Sequence, residues 1–356
     1  MIVLGILVFV HESGHYLAAR WCRVHVETFS IGFGRAIYSW RDRLGTVWKL
    51  GWVPLGGYVK LHGQERAEHV SPEVRATWID GRTFQEKSVA LRALVVVAGP
   101  VANFALAIVL YFALFAVLGR PLTMPEIGEV LPDSVAARAG LMAGDRVTGI
   151  DSAPVKRFED LQRIVLASPG KPLVLHVTRA DAPRDIAITP EEFTDAKGNK
   201  YGKLGVRGGV VIFEPVSLPE AAWNGVTQTW EITTQTLEGV WAMITHRKSG
   251  EDLGGPLRIA QMSGQVATLG FSSMVSFIAL LSVNLGLINL FPIPVLDGGH
   301  LMFFAAEAVR GRPLSIRAQE YGFRAGFAVL IGLFVFSTWN DLSHIGLFRW
   351  VASLVG

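Results

Sequence analysis

Cysteine and charge are what this chain has least of. Its 356 residues include one cysteine, Cys22, so it holds no internal disulfide framework and no multi-cysteine metal site. Cys22 reads as a small apolar residue at a helix end. Only 18% of the residues are charged and the formal net charge is +3, with no dense basic tract, so nothing points to a nucleic-acid partner. Internal repeats and low-complexity segments are also absent. What the chain has in quantity is apolar surface: 50% of it is hydrophobic and its mean hydropathy is +0.37. Those values describe an integral membrane protein carrying some soluble mass, not one compact soluble domain.

Within the first apolar run stands His11-Glu12-Ser13-Gly14-His15. On a helix, residues four apart share a face, so His11 and His15 present their imidazoles side by side, with Glu12 one residue round from the first. Two neutral imidazoles supply two of the three protein ligands of an open catalytic zinc site, and the adjacent carboxylate suits a general base acting on water. Ionisable groups at membrane depth are costly, which favours a functional reading of the cluster.

Taken in order, the first apolar run, Ile2 to Trp21, is just long enough to cross a bilayer and is followed by Arg20 and Arg23, which mark a cytoplasmic end. The ten residues ahead of His11 span about 15 Å, so the motif lies past mid-bilayer toward the cytoplasm. This run lacks a basic leader and holds the histidine motif, so it reads as a span and not a cleavable signal peptide. The fit is tight, as if the true start lay further upstream. Residues 27 to 62 alternate short apolar and aromatic runs with glycines, a pattern of β-hairpins. Tyr38, Trp40, Trp48, Trp52 and Tyr58 favour the membrane interface. A sheet there offers an open edge on which an extended substrate could pair. His62 and His69 read as solvated loop residues.

A second span runs from Ala93 to Leu118 and contains Gly99-Pro100-Val101-Ala102-Asn103, small residues that let helices approach and an asparagine able to bond across them. From Pro121 the chain is soluble in character, with a strand at 172–177 and a helix near Phe158 to Ala167. The run Ala136-Ala137-Arg138-Ala139-Gly140-Leu141, then Gly144-Asp145-Arg146-Val147 and Ile150-Asp151, resembles the PDZ domain pattern of periplasmic proteases. Val216 to Met243 reads as an interfacial amphipathic helix with Trp223, Trp230 and Trp241. A glycine-rich connector, 250–256, precedes a third span from Phe271 to Phe291, which contains Asn284 and Asn289. Next come Pro292-Ile293-Pro294-Val295-Leu296-Asp297-Gly298-Gly299-His300, read as irregular backbone with flexible glycines. Asp297 can reach back as the third metal ligand, with His300 the lesser candidate. Arg310, Arg312 and Arg317 mark another cytoplasmic loop, and Gly326 to Trp339 is a fourth span. Basic residues gather on one side at Arg20, Arg23, Lys87, Arg92, Arg310, Arg312, Arg317 and Arg324, with few beyond Arg120 and Arg349 on the other.

Together, His-Glu-x-x-His, Asn-x-x-Pro-x-Pro-x-Leu-Asp-Gly-Gly and a PDZ pattern between spans resemble the site-2 protease family, of the bacterial regulator-of-sigma-E type. The resemblance implies an α-helical multi-pass membrane protein of four transmembrane helices, with a membrane-associated β-hairpin region and an inserted α+β PDZ domain. The divisions are 1–120 (first membrane half), 121–213 (PDZ), 214–270 (amphipathic helix and connector) and 271–356 (second membrane half). It implies Zn2+ held by His11, His15 and Asp297, catalysis by Glu12, and substrate contacts at Asn289 and Asn284. Ile31-Gly32-Phe33-Gly34 and Gly57-Tyr58-Val59-Lys60 match the family's β-region, so Gly57 and Tyr58 join the substrate-binding set.

The implied activity is cleavage of transmembrane segments of single-span proteins, such as anti-sigma factors or remnant signal peptides. It would occur in the bacterial inner membrane, with the active site toward the cytoplasm, the PDZ domain on the periplasmic side, and lipid and a PDZ peptide ligand as further partners. The family's best-known members carry two PDZ domains and this chain has room for one; its amino terminus is also short. A metal-ion transporter and a non-catalytic PDZ scaffold are the alternative readings. Transport gives no reason for the placing of Glu12 or for a PDZ module.

Overall fold

The computed structural model describes residues 2–64, 70–194, 198–245 and 255–344. The sequence expectations for His69, for most of the 250–256 connector and for Arg349 lie outside them. The chain forms two units, one of 1–114 with 222–356 and the other of 115–221.

In the first unit, the apolar opening run forms α1 (Ile2–Trp21), which contains no proline. It is followed by β1 (Val26–Arg41) and β2 (Val47–Leu61). These strands are long enough to fold back on themselves. Residues 26–31 of β1 pair with 57–61 on one side and with 47–50 on the other, while residues 38–41 pair outside 47–50. The hairpin is therefore a four-segment sheet whose order is 57–61, 26–31, 47–50, 38–41. Gly32 has φ 84°, and a Cβ there would lie 2.7 Å from the Val53 carbonyl oxygen, so the bend needs glycine twice over. Trp48 stacks between Phe29 at 4.4 Å and Trp40 at 5.7 Å, while Tyr38, Trp40 and Trp52 stay exposed.

His62 corrects one expectation. It is buried, not solvated, with Nδ1 2.8 Å from Glu27 Oε1 and Nε2 accepting the Ile79 N–H at 3.0 Å. The imidazole thus ties the sheet to the loop beyond. Burial raises the Glu27 pKa, but hydrogen bonds with Lys60 and His62 outweigh it and hold the carboxyl below its ordinary value.

A short helix, α2 (Pro72–Ala76), precedes α3 (Val89–Leu118). The inserted unit then follows. It comprises β3 (Arg120–Thr123), β4 (Ile127–Val130), α4 (Val135–Arg138), β5 (Arg146–Ile150), β6 (Ala153–Pro154), α5 (Phe158–Leu166), β7 (Leu173–Arg179), β8 (Ala182–Ile188), β9 (Glu191–Thr194), β10 (Lys200–Lys203), β11 (Val206–Gly208) and β12 (Val211–Glu214). Its main sheet is antiparallel in the order β6-β5-β7-β8, and strand pairs β4/β11, β3/β12 and β9/β10 surround it. Alternation along β7 sends Leu173, Leu175 and Val177 inward to meet Ile127, Val147, Ile150 and Leu161. Asp145 is fully buried and accepts two bonds from Arg179, at 2.6 and 2.7 Å.

Returning to the first unit, α6 (Leu218–Ile244) takes up the predicted amphipathic segment. One face of α6 packs closely on α3, because a Cβ on Gly225 would lie 3.0 Å from the Ile108 carbonyl oxygen. Thr236 of the same helix donates to Asn284 Oδ1 at 3.0 Å. Next come α7 (Pro256–Thr268), α8 (Phe271–Leu290), α9 (Asp297–Arg310) and α10 (Ile316–His344).

Three helices are long and apolar enough to cross a membrane: 89–118, 271–290 and 316–343. The chain is thus a multi-pass membrane protein. α1 matches the expected first span in length, but its two histidines, glutamate and arginine dilute its hydropathy, and the count of three stands among the described residues. α10 begins ten residues before the predicted Gly326, and of the three arginines expected to mark the preceding loop Arg310 closes α9 and Arg317 lies in α10, leaving Arg312 between the helices. The predicted irregular stretch shrinks to residues 291–296. Gly298 and Gly299 are helical and buried rather than flexible.

Candidate metal centre

α1 places His11 and His15 one turn apart on the face that meets α3. The approach is as close as backbones allow. A Cβ on Gly14 would lie 2.9 Å from Ala102 Cβ and would overlap the Ala98 carbonyl. Gly99 makes room for the imidazoles themselves, since a Cβ there would lie 2.5 Å from His15 Cε1 and 3.0 Å from His11 Cε1. The small-residue segment of α3 is thus the floor of the histidine pair. That use was not evident from composition, because small residues in a span fit any helix contact.

Asp297 arrives from the far end of the chain. Pro292 and Pro294 end α8 and turn the backbone, and Leu296 caps α9 so that Asp297 falls in its first turn, where a helix favours negative charge. The turn closes only because the next two residues lack side chains. A Cβ on Gly299 would lie 2.5 Å from Pro294 Cα, and one on Gly298 would overlap the carbonyls of Leu290 and Phe291. α10 packs on this turn through Gly326, where a Cβ would lie 3.0 Å from Pro294 N.

The outcome is a triangle of ligand atoms. His11 Nε2 and His15 Nε2 are 3.2 Å apart, and Asp297 Oδ2 is 3.2 Å from the first and 3.4 Å from the second. Metal–ligand bonds of about 2.0–2.1 Å in a tetrahedron put neighbouring ligand atoms roughly 3.3 Å apart. Asp297 Oδ2 is buried and, among the described residues, has no well-aligned hydrogen-bond donor, an orphaned acceptor that a cation between the three atoms would satisfy. Nitrogen and carboxylate oxygen are zinc donors, and three of them leave a fourth position open. The residues fit the ion. Among the described residues this is the one group of three or more such side chains able to share a cation.

Around the triangle is a cavity of about 670 Å³ lined by His11, Glu12, His15, Gly57, Tyr58, Val59, Asn289, Asp297 and His300, among others. Glu12 is buried at its wall. The outer strand segment 57–61 runs directly beside it. A Cβ on Gly57 would lie 3.2 Å from Glu12 Cγ and 2.8 Å from Val8 Cγ1. Asn289 lines the cavity and donates Nδ2 to the Leu285 carbonyl at 3.1 Å. Asn284 does not line it and instead bonds Thr236. His300 lines the cavity with its ring 5.4 Å from that of Phe323, outside the ligand triangle. One pairing in this cavity had no sequence signal, although Arg92 itself was expected on the cytoplasmic side. Arg92 and Glu307 line the same cavity and pair at 2.6 Å.

A buried two-histidine and carboxylate centre beside an acidic residue, in a multi-pass membrane chain, defines a membrane-embedded metallohydrolase. The Peptidase family M50 model matches residues 1–333, and the chain belongs to that family. It is 44% identical to a protein of Rhizobium meliloti (strain 1021) named as a zinc metalloprotease, over 97% of this chain and 96% of the relative. A similarly named protein of Agrobacterium fabrum is 44% identical over 97% of this chain and 95% of the relative. The regulator of sigma-E protease RseP of Salmonella typhimurium is 32% identical over 97% of this chain and 98% of the relative. That last alignment runs over 452 positions, so RseP has residues with no counterpart here.

Among solved structures, the PDZ domain of an SdrC-like protein from Listeria innocua matches 24% of this chain and 94% of that chain, at 20% identity and a TM-score of 0.21. The corresponding Listeria monocytogenes domain matches 24% and 87%, at 21% identity and a TM-score of 0.20. With the family shown, the chain is a zinc metalloendopeptidase of the site-2 protease type.

Proposed function

We propose that this enzyme cuts the transmembrane segments of single-span membrane proteins, anti-sigma factors or remnant signal peptides, within a bacterial inner membrane. The observation that carries the reading is the ligand triangle, in which Asp297 Oδ2 lies 3.2 and 3.4 Å from imidazoles more than 280 residues away in sequence. His11, His15 and Asp297 hold the zinc ion. When bound, zinc acts as a Lewis acid that polarises water and a peptide carbonyl.

Glu12 is the general base and then the general acid, taking a proton from the attacking water and giving it to the leaving amine. Its burial beside the ligands suits both steps. The edge segment 57–61 accepts the substrate as an added strand, because among the described residues its outer side has no strand neighbour in the sheet. A helical substrate keeps its carbonyls in intrahelical bonds and must unwind first, so spans with helix-weakening residues are preferred. Asn289, which lines the same cavity, engages the unwound backbone. The PDZ-type insert selects or screens chain ends on the periplasmic side, an orientation supported by the arginines and lysines gathered at the other ends of the spans.

The test is Glu12→Gln in the full chain, co-expressed with a panel of tagged single-span proteins. Cleavage is lost while zinc content and thermal stability stay as in the wild type. Cleavage products that persist in this variant would sink the assignment.

A further inference from the structure

Behind the ligand triangle, α3 carries a side chain whose amide is only half accounted for. Asn103 is fully buried. Its backbone carbonyl accepts Ser282 Oγ at 2.8 Å, and a Cβ on Gly286 would lie 3.2 Å from Asn103 Cβ, so α8 presses on it. Its side-chain nitrogen is 3.2 Å from His11 Nδ1, while its Oδ1 has no partner among the described residues.

That orientation conflicts with the chemistry of the site. An amide N–H donated to Nδ1 leaves the proton of a neutral imidazole on Nε2. In His11, Nε2 is the atom that faces His15 and Asp297. A protonated Nε2 has no lone pair for a cation. Rotating the amide by half a turn exchanges nitrogen and oxygen without moving any other heavy atom, and heavy-atom positions alone do not distinguish the two. Oδ1 then accepts the His11 Nδ1–H, and the Nε2 lone pair is free.

His15 supplies an internal comparison. Its Nδ1 is 2.9 Å from the Val95 carbonyl oxygen, which can only accept, so the proton is on Nδ1 and the lone pair on Nε2. Val95 and Asn103 lie two turns apart on α3, each behind one imidazole.

We infer that Asn103 is a positioning residue for the metal: its Oδ1 accepts the Nδ1–H of His11, fixing both the tautomer and the ring rotation that aim Nε2 at the point shared with His15 and Asp297. The inference rests on the proposed ligand set. It makes the asparagine of the small-residue segment a part of the site instead of packing. Outer partners of this kind hold the ring and raise its basicity.

Zinc affinity of the purified full chain, read by competition with a chromogenic chelator, tests this without recourse to activity. Asn103→Leu, close in volume but without an acceptor, weakens zinc binding about 10- to 100-fold. Asn103→Asp, which keeps an acceptor at the same place, stays within about threefold of the wild type on the same scale. Wild-type affinity in Asn103→Leu, or equal loss in both variants, overturns the inference. His11→Ala separates the two levels: if it too keeps zinc, the ligand set has failed instead. Should Asn103→Leu not fold, nitrogen-15 spectra of histidine-labelled full chain stripped of metal decide, with an Nδ1–H tautomer at His11 expected and an Nε2–H tautomer overturning the inference.

Discussion

Arg92 donates Nη2 to Glu307 Oε1 at 2.6 Å, joining α3 to the helix that begins with Asp297. The guanidinium also lies 5.0 Å over the Phe304 ring and bonds Gln85 Oε1 and the Lys87 carbonyl. Both side chains are nearly enclosed, at 7% and 15% exposure. Removing one partner strands the other charge, so Arg92→Met lowers stability by about 3–5 kcal/mol. Because α9 also carries Asp297, zinc retention falls in parallel. The double change Arg92→Met with Glu307→Leu recovers most of the loss, measured by thermal unfolding in detergent alongside metal content.

Gly99 and Gly57 have different jobs, and alanine or valine at each separates them. Gly99→Ala drives a methyl into His15, at a cost of about 1–3 kcal/mol, and the protein purifies with little zinc. Gly57→Val keeps zinc but crowds Glu12 and disrupts the sheet edge. Cleavage then drops on the order of tenfold, about 1.4 kcal/mol of barrier. Metal analysis and a product gel on the same preparations check both.

The two asparagines of α8 also part company. Asn289→Ala weakens substrate handling, seen as a higher KM on a detergent-solubilised substrate. Asn284→Ala removes its bond to Thr236 and costs about 1 kcal/mol of stability, with a KM close to that of the wild type. Equal KM effects from both would count against the cavity assignment.

In the insert, stability depends on pH through Asp145. Burial pushes its pKa up, but bonds from Arg179 and the Met142 N–H more than offset this and hold the carboxyl below its ordinary value. A lowered folded-state pKa means that the unfolded chain takes up protons first as acid is added. The stabilisation is therefore whole above the ordinary carboxylate pKa of about 4 and is lost as pH falls through the lower folded value. Hydrogen exchange of the insert amides in the full chain between pH 7 and 3 shows this loss. Arg179→Met lowers protection already at pH 7, since Asp145 is left buried without its counter-charge.

Much of this was legible before any coordinates. His11, Glu12 and His15 declare themselves because a fixed helical period turns sequence spacing into geometry. The hydropathy of 93–118 and 271–291 marks spans because a bilayer imposes one length on every helix that crosses it. β7 and α5 fell within two residues of their predicted limits because alternation and amphipathic spacing are local signals. The misreadings share a cause. His62 looked like a loop residue because nothing nearby in sequence reveals Glu27 or the Ile79 N–H as partners. Gly298 and Gly299 looked flexible because a glycine in a turn and a glycine wedged against another backbone are written with the same letter.

By itself the sequence determined which residues could bind a metal and where apolar runs long enough to span a bilayer lie, since each follows from residue chemistry or short-range periodicity. The class of enzyme came from the resemblance of its paired motifs to a known family. Only the tertiary structure decided that Asp297, and not its rival His300, comes within 3.4 Å of both imidazoles, that Gly99 forms their floor, that Asn103 backs His11 and that the expected β-region sets Gly57 directly against Glu12. Those are contacts between distant segments, and they depend on how closely helices and strands can pack, a matter of shape that no single segment encodes.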